Sequence, residues 1–293
     1  AAPMTPTQLK DWVRNRARTS GVNPQLIMRY YMLEKVLEKI AASPYQHAFV
    51  LKGGFLIGSL LGVERRTTMD LDATLRDFAV SQERIVALLA DVVATPTAEG
   101  ITFTVTWVEE IREQDNYPGF RAHVKAELGT LRADVKLDFT TGDTIHPEAI
   151  RYAHPLLFED RAITVYAYPV EQILAEKLQT LLYLAEDNTR ARDFYDIYLL
   201  VRLKPESFQL STLAQAVAKT FRKRGMGESF PTLASERLPV IRSSDRLRAV
   251  WDRYARNLPE GPLSYAEVVS AVADLCATLL TIPEEDRLPP GDW

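Results

Sequence analysis

The 293-residue sequence predicts an α+β protein in which a mixed α/β module precedes a mainly helical region. Two observations support this prediction. Short apolar runs typical of strands recur between about residues 48 and 166, and from residue 169 onward apolar residues recur at helical spacing. We therefore divide the chain into N-terminal helices (1–47), an α/β core (48–168) and a helical C-terminal region (169–293).

Local signals locate the individual elements. Thr5-Pro6 and Asn23-Pro24 each join a capping side chain to a proline at the first helical position, so a helix begins at each. Gly129-Thr130 is a tight connection between two strand-like runs, which predicts a hairpin. The predicted strands are 48–51, 68–75, 101–108, 120–128, 131–139 and 162–166, and further helices cover 55–61 and 81–95.

Composition excludes several classes of protein. Hydrophobic residues make up 46% of the chain, which is enough for a sizeable core. The single cysteine, Cys276, allows no disulfide within the chain and fits a reducing compartment. No apolar run approaches the roughly 18 residues that span a bilayer, and the N-terminus lacks a signal-peptide pattern. We expect a cytoplasmic protein without a membrane partner.

Charge is unevenly distributed along the chain. The net charge is −4, yet the segment from Arg202 to Arg256 contains twelve Lys or Arg against five Asp or Glu, a local balance of +7. Such a segment is either a solvated helix face or a surface for nucleic acid. Arg222, Lys223 and Arg224 lie in its middle and are the candidate RNA contacts.

Asp70 and Asp72 are the first candidate metal ligands. They lie two residues apart in a predicted strand, so their side chains point to the same face. Two adjacent carboxylates repel each other unless a cation lies between them. Mg²⁺ prefers oxygen ligands and keeps coordination positions for substrate phosphate. The alternative is a strand edge with two solvated acids.

A third acid would complete a two-metal site. Asp134 and Asp138 share one face of the predicted strand 131–139, and the alternation alone does not decide between them. We favour Asp138 because Leu137 and Phe139 flank it directly.

Lys52-Gly53-Gly54 follows a predicted buried strand. Paired glycines let the backbone turn sharply and approach a ligand, and the next helix would offer amide hydrogens to phosphate. The motif is not a Walker loop because no Gly-Lys-Ser/Thr follows, and a plain turn is the alternative. Arg66 and Thr68, just before the acids, either bind triphosphate or lie in a solvated loop.

Two charged features stand out in the helical region. Lys177 falls in the apolar stripe of one predicted helix, so it must extend to solvent or meet an anion. Asp193 and Asp196 lie three apart on one face of the next, largely apolar helix. Asp193 could simply interact with its helix dipole. If Lys177 and Asp193 are neighbours, each satisfies the other, and Lys177 can contact a nucleotide phosphate.

In order along the chain, four motifs resemble those of the AbiEii/AbiGii toxin family, which includes the MenT toxins. They are Lys52-Gly53-Gly54, Arg66-x-Thr68-x-Asp70-Leu71-Asp72, Ala175-Glu176-Lys177-Leu178 and Arg190-x-Arg192-Asp193-Phe194-Tyr195-Asp196. The resemblance spans roughly residues 48 to 200 and implies a DNA polymerase β-like nucleotidyltransferase core. It further implies a toxin that transfers nucleotides from an NTP to the 3′ acceptor end of tRNA, blocking aminoacylation and translation.

The resemblance also implies roles for individual residues and a cognate antitoxin as partner. Asp70 and Asp72 would hold Mg²⁺ or Mn²⁺, and Lys177 and Asp193 would join them in catalysis. Lys52, Gly53, Gly54, Arg66, Thr68 and Lys177 would bind the nucleotide. Asp138 comes from the general nucleotidyltransferase pattern. Arg192 replaces a lysine found in many relatives, which keeps the charge.

Two alternatives stay open at this point. The acceptor could be a protein hydroxyl or a small molecule, against which only the basic C-terminal segment speaks. The chain could also be a non-catalytic module that binds a nucleotide or an antitoxin, because a fold alone does not establish a function.

Overall fold

Two units make up the chain. Ala1–Asp143 and Ile150–Ala167 form the first, and Thr144–Ala149 and Tyr168–Trp293 form the second. The computed structural model describes residues 4–76, 81–111, 119–224, 227–258 and 261–288. Its mixture of helices with a single seven-stranded sheet confirms the predicted α+β class.

The first unit is organised around this sheet, whose strand order is β3-β4-β5-β2-β1-β7-β6. The strands are β1 (Phe49–Lys52), β2 (Asp70–Leu75), β3 (Thr102–Ile111), β4 (Gly119–Leu128), β5 (Leu131–Thr141), β6 (Ile150–Pro155) and β7 (Ala162–Ala167). β2 pairs with β5 in parallel and with β1 antiparallel. The predicted hairpin at Gly129 is confirmed by the antiparallel β4–β5 pair. β6 lies outside every predicted strand.

Helices cover one face of the sheet. They are α1 (Pro6–Ser20), α2 (Pro24–Ala42), α3 (Gly53–Leu61) and α4 (Gln82–Ala94). The caps predicted for the first two are present, because Thr5 and Asn23 accept hydrogen bonds from the backbone of Gln8 and Gln25. α2 contacts β5 and β7, and α4 contacts β3. The apolar side chains of the strands are buried under these helices, so the opposite face of the sheet carries the polar residues.

The second unit contains helices only, among the residues described. They are α5 (Val170–Leu184), α6 (Ala191–Leu203), α7 (Leu210–Arg224), α8 (Phe230–Ser243), α9 (Asp245–Ala255), α10 (Tyr265–Leu280) and α11 (Glu284–Arg287). α8 contains Pro239, yet Ser229 caps its start and Ile241 is fully buried on it. Across the described ranges, no helix combines the length and the apolar character that a bilayer crossing requires.

Candidate functional site

The polar face of β2 carries the two predicted acids. Leu71 and Ala73 are fully buried on the apolar face, whereas Asp70 and Asp72 are half-buried on the other. Because side chains alternate along a strand, both carboxylates point to the same side of the sheet, as predicted.

A row of charged residues crosses the sheet at Asp72. Asp72 lies opposite Lys52 on β1 and Asp138 on β5, and the row continues through Arg121 on β4 to Glu109 on β3. Residues directly opposite in neighbouring strands share a face and lie close together. The pairing thus brings acids and bases from five strands onto one polar surface.

The strand register distinguishes the two candidates for the third acid. Asp138 lies opposite Asp72, whereas β2 begins at Asp70, opposite Lys136, so Asp134 lies past its end. Arg121 holds both oxygens of Asp138, with Nε donating to Oδ1 at 2.8 Å and Nη2 to Oδ2 at 2.6 Å. These hydrogen bonds raise the pKa of Arg121, and the charges of Asp138 and Asp70 add to the effect.

Two of the three acids fit a divalent cation. Within the described part of the chain, no three His, Cys, Asp or Glu side chains are grouped so that they could hold a metal. Mg²⁺, however, is commonly held by one or two carboxylates and completes its shell with water and substrate phosphate. Asp70 and Asp72 match that requirement. Both oxygens of Asp138 accept hydrogen bonds from Arg121. The metal-binding role of Asp138 therefore stays a prediction, and it requires that a metal ion replace Arg121.

The Gly-Gly turn packs directly against the acids. Gly53 has φ = +67°, and a Cβ at this position would lie 2.8 Å from Cγ of Asp72. A Cβ on Gly54 would lie 3.0 Å from both Arg66 Nη2 and Thr68 Oγ1. Only glycine therefore allows the backbone approach at residue 53, and a side chain at residue 54 would displace Arg66 and Thr68 slightly. The turn, the basic loop and Asp72, which the sequence predicted as one site, are neighbours in the structure.

The start of α3 faces this cluster. The side chain of the N-cap residue Lys52 does not cap α3, and the amide groups at a helix N-terminus are a favourable position for an anion. Arg66 is only 7% exposed, and its guanidinium donates to the carbonyl of Thr67. Thr68 Oγ1 donates to the carbonyl of Asp70 at 3.1 Å and so orders the beginning of β2.

Lys52 is held by groups that the sequence analysis did not include. Its Nζ donates to Thr140 Oγ1 at 2.6 Å and lies 2.8 Å from Asp143 Oδ2. Thr74 also donates to Asp143, at 2.7 Å. A charged hydrogen-bond network thus fixes the lysine at the edge of the acid-bearing surface.

In the second unit, Lys177 lies between two acids. Its Nζ is 2.9 Å from Asp193 Oδ1 and 2.8 Å from Asp196 Oδ2. The predicted contact between Lys177 and Asp193 is confirmed, and Asp196 joins it. Oδ2 of Asp193 is buried without a hydrogen-bond partner among the described residues. The catalytic roles implied for Lys177 and Asp193 stay predictions.

The three predicted RNA contacts differ in their surroundings. Arg222 and Lys223 are exposed on α7. Arg224 lies 3.2 Å from Glu176, and both side chains are only 16% exposed. Because Arg222 and Lys223 are more exposed than Arg224, they are the better candidates for phosphate contact.

Three residues on the polar face escaped the sequence analysis. Arg121 and His123 lie in the predicted strand 120–128, and Trp107 in 101–108, where alternation gives their face but not their partners. Their relation to the acids depends on pairing between β2 and β5, which are far apart in sequence. No local signal in the sequence reveals that pairing.

Several solved structures are similar to this chain. A protein from H. pylori assigned as a nucleotidyltransferase is 18% identical, covering 88% of this chain and 96% of that one with a TM-score of 0.48. JHP933 from Helicobacter pylori is 16% identical, covering 88% and 93% with a TM-score of 0.48. An antigenic nucleotidyltransferase-like protein from Paracoccidioides brasiliensis is 12% identical, covering 92% and 95% with a TM-score of 0.33. These similarities are too low to support a conclusion about function. No protein of curated function matches the sequence.

The family comparison is decisive. The sequence model of the nucleotidyl transferase AbiEii toxin, type IV toxin–antitoxin system, matches residues 35–275. The match covers most of the chain and includes all four motifs, the acid pair of β2 and the Lys177 contact of α5. It confirms the resemblance that the motifs indicated. This chain belongs to the AbiEii nucleotidyltransferase toxin family of type IV toxin–antitoxin systems.

Proposed function

We propose that this protein transfers nucleotides from an NTP to the 3′ acceptor end of tRNA, in the cytoplasm and with Mg²⁺ or Mn²⁺. The transfer blocks aminoacylation and thereby translation, and a cognate antitoxin counters it. Family membership supports the nucleotidyltransferase class and the antitoxin partner. The choice of tRNA as the acceptor is based on the motif resemblance and on the basic character of α7.

One observation supports this proposal most directly: Gly53 touches the carboxylate of Asp72 at the start of α3. A triphosphate bound at this helix N-terminus meets backbone amides and the buried cation of Arg66, both favourable for phosphate. Its α-phosphate then lies beside the carboxylates of Asp70 and Asp72. A binding site for phosphate and a pair of acids for its chemistry are therefore adjacent.

The reaction is an in-line displacement. The oxygen of the terminal ribose hydroxyl forms a bond to the α-phosphorus, the bond to the β-phosphate bridging oxygen breaks, and pyrophosphate leaves. The hydroxyl proton passes to water or to a carboxylate of the site. Asp70 and Asp72 would hold a divalent cation, which would supply charge neutralisation for the transferred phosphate. Gly53, Gly54 and Arg66 hold the triphosphate, and the role of Lys177 in catalysis is carried over from the motif resemblance.

Asp70→Asn tests the proposal, with Asp11→Asn as the matched control on α1, where the acid is 55% exposed. Each protein is incubated with total RNA, Mg²⁺ and each labelled NTP in turn. We expect the wild-type protein and Asp11→Asn to label tRNA, and Asp70→Asn to lose on the order of a thousandfold in rate, since metal-ligand charge acts on the transition state.

Labelled RNA is then separated, and its 3′ ends are sequenced to identify the acceptor. Failure of all four nucleotides to label RNA argues against the proposed function. When a cell lysate replaces the total RNA, labelling of a protein or a small molecule identifies the alternative acceptor. Loss of charging in an aminoacylation assay, restored by the antitoxin, tests the block on translation.

A further inference from the structure

Trp107 is an unusual residue for the edge of a sheet. It is 53% exposed, the highest value among the large hydrophobic side chains described. Its indole stacks on the imidazole of His123, with ring centroids 4.2 Å apart and planes inclined by 20°. His123 backs one face of the indole, so the other face is a flat apolar surface open to solvent.

Three features fix this aromatic pair. The β3–β4 register shifts between Val105 and Trp107, so Thr106 is an extra residue on β3. Such a bulge redirects side chains and often lies beside a functional site. Thr106 Oγ1 donates to the carbonyl of His123 at 3.0 Å, and Glu109 Oε1 lies 2.8 Å from His123 Nε2. The stacked rings are held before any ligand arrives.

The aromatic pair lies in the same row as a catalytic acid. Asp70 is opposite Lys136, Lys136 is opposite His123, and His123 is opposite Trp107. Residues in such a row share one face of the sheet. With neighbouring strands about 4.8 Å apart, three spacings separate Trp107 from Asp70 by roughly 14 Å. Lys136 is exposed between them.

The chemistry of the proposed transfer indicates from which side of β2 the acceptor approaches the α-phosphate. An in-line displacement places the attacking oxygen and the leaving pyrophosphate on opposite sides of the α-phosphate. The triphosphate side is the Gly53-Gly54 turn, which follows β1 on one flank of β2. The acceptor hydroxyl therefore approaches over the opposite flank, where β5, β4 and β3 lie in order.

We propose that the single-stranded 3′ end of an RNA acceptor runs across β5, β4 and β3 and stacks one base on Trp107. This inference rests on the proposed nucleotidyl transfer. Every base has a flat π face, so aromatic side chains bind single strands by stacking. Roughly 14 Å corresponds to about four stacked nucleotides at 3.4 Å each. Lys136 is then placed to meet a phosphate of the bound strand.

Binding of a short fluorescein-labelled oligoribonucleotide with a free 3′ end, followed by anisotropy, tests the proposal. We compare wild type, Trp107→Ala and Trp107→Phe. The matched control is Trp12→Ala, whose tryptophan is 38% exposed on α1. We expect Trp107→Ala to weaken binding about tenfold, and Trp107→Phe, which keeps a stacking ring, to weaken it only about twofold. Trp12→Ala should bind as wild type does.

A second arm removes the base instead of the ring. Oligoribonucleotides carrying one abasic site at each of the last six positions are bound to wild type and to Trp107→Ala. An abasic site at one of these positions should weaken binding to wild type about tenfold. The same abasic site should leave binding to Trp107→Ala unchanged, because that variant has already lost the stacking contact. Abasic losses of equal size in both proteins at every position, or unchanged binding by Trp107→Ala, overturn the proposal.

Kinetics separate this inference from the proposed function. Trp107→Ala should raise the KM for RNA about tenfold and leave the KM for NTP unchanged, since stacking acts on the acceptor. Labelled RNA with an unchanged KM overturns the stacking role alone. Trp107-dependent binding without nucleotide transfer by wild type supports the platform and contradicts the proposed function. Labelling of protein in place of RNA overturns the platform as an acceptor site.

Discussion

At the scale of single residues, the site depends on one glycine. Gly53 adopts φ = +67° while its backbone lies against the carboxylate of Asp72. Gly53→Ala therefore adds both backbone strain, about 1–2 kcal/mol, and an overlap that must displace Asp72. We expect nucleotide transfer to fall by on the order of a hundredfold, because small displacements at a reacting centre have large effects on rate.

Gly21→Ala is the matched control for this prediction. Gly21 has φ = +73°, but nothing lies within 4 Å of its Cβ position. Both variants should lose stability in urea unfolding from backbone strain, Gly53→Ala the more because of its overlap with Asp72, and only Gly53→Ala should lose activity. Equal and full activity in the two variants would contradict the close approach of the turn to Asp72.

The roles of individual residues were predictable where they depend on neighbouring residues in the sequence. The spacing of Asp70 and Asp72 determined their common face, and the flanks of Asp138 favoured it over Asp134. The guanidinium that binds Asp138 was not predictable, because Arg121 is an ordinary polar residue of an alternating strand. Its role follows from a strand register set by packing and distant pairing, which no local pattern encodes.

At the scale of elements, α5 and α6 are joined by a buried charge cluster. Lys177 is 16% exposed on its side chain, and Asp196 is fully buried. Lys177→Met leaves two carboxylates without this cation, and breaking a buried pair from one side typically lowers the free energy of unfolding by about 3–5 kcal/mol. We expect a loss in that range in chemical denaturation, together with reduced activity.

Two comparisons keep this prediction specific. Arg202→Met removes an exposed cation near Asp274 and should lower stability by less than about 1 kcal/mol. Adding Asp196→Asn to Lys177→Met should restore part of the lost stability, because one uncompensated charge disappears. A double variant as unstable as the single one would show that the packing of the lysine stem matters more than its charge.

The segment between β6 and β7 is attached to α2 through charges, which makes stability depend on pH. Lys35, only 1% exposed, lies 2.5 Å from Glu159. Burial opposes ionisation of Glu159, but hydrogen bonds from Lys35 and Arg161 outweigh it and lower its pKa. A carboxyl with a lowered pKa in the folded state stabilises the protein above its unfolded pKa. That contribution is lost as the pH falls through the folded pKa.

We therefore expect the melting temperature to fall between about pH 5 and pH 3, the range of an ordinary and a lowered carboxyl pKa. The drop should be smaller for Glu159→Gln, measured by calorimetry over the same range. Because Glu159 is 30% exposed, solvent screens its share. An identical pH profile for the variant and wild type would contradict a stabilising role for this contact.

The helices and strands were predicted correctly where capping residues and apolar periodicity indicate the same element. The prediction failed where these signals are weak or disagree. α1 and α2 begin at their capped prolines as predicted. β6 alternates only weakly and includes a buried histidine, His154, whose Nε2 lies 3.0 Å from Glu34 on α2. Its strand conformation comes from pairing with β7. Tertiary contacts thus decide elements whose own sequence is ambiguous.

At the scale of the whole molecule, net charge and local charge have opposite signs. The chain carries −4 overall, while the segment from Arg202 to Arg256 has twelve bases against five acids. We propose that RNA binds to this basic segment, against the negative charge of the chain as a whole. Its affinity should therefore fall with salt according to the number of phosphates contacted.

The size of this salt dependence should follow from the exposed bases of α7. Arg222 and Lys223 are exposed, whereas the side chain of Arg224 is only 16% exposed. Each phosphate contact to a single strand contributes about 0.7 to the slope of log affinity against log salt. Arg222→Gln/Lys223→Gln should reduce this slope by about 1.4, measured by anisotropy between 50 and 300 mM KCl with a single-stranded oligoribonucleotide as ligand.

The control removes two exposed bases of α1, in Lys10→Gln/Arg18→Gln, and should leave the slope unchanged. Arg224→Gln should instead lower thermal stability, because the half-buried Glu176 loses this ion pair. Equal slopes in all variants would move the RNA surface away from α7. The acceptor path across β5, β4 and β3 would then have to supply the phosphate contacts, and Lys136→Gln would be the variant that reduces the salt dependence.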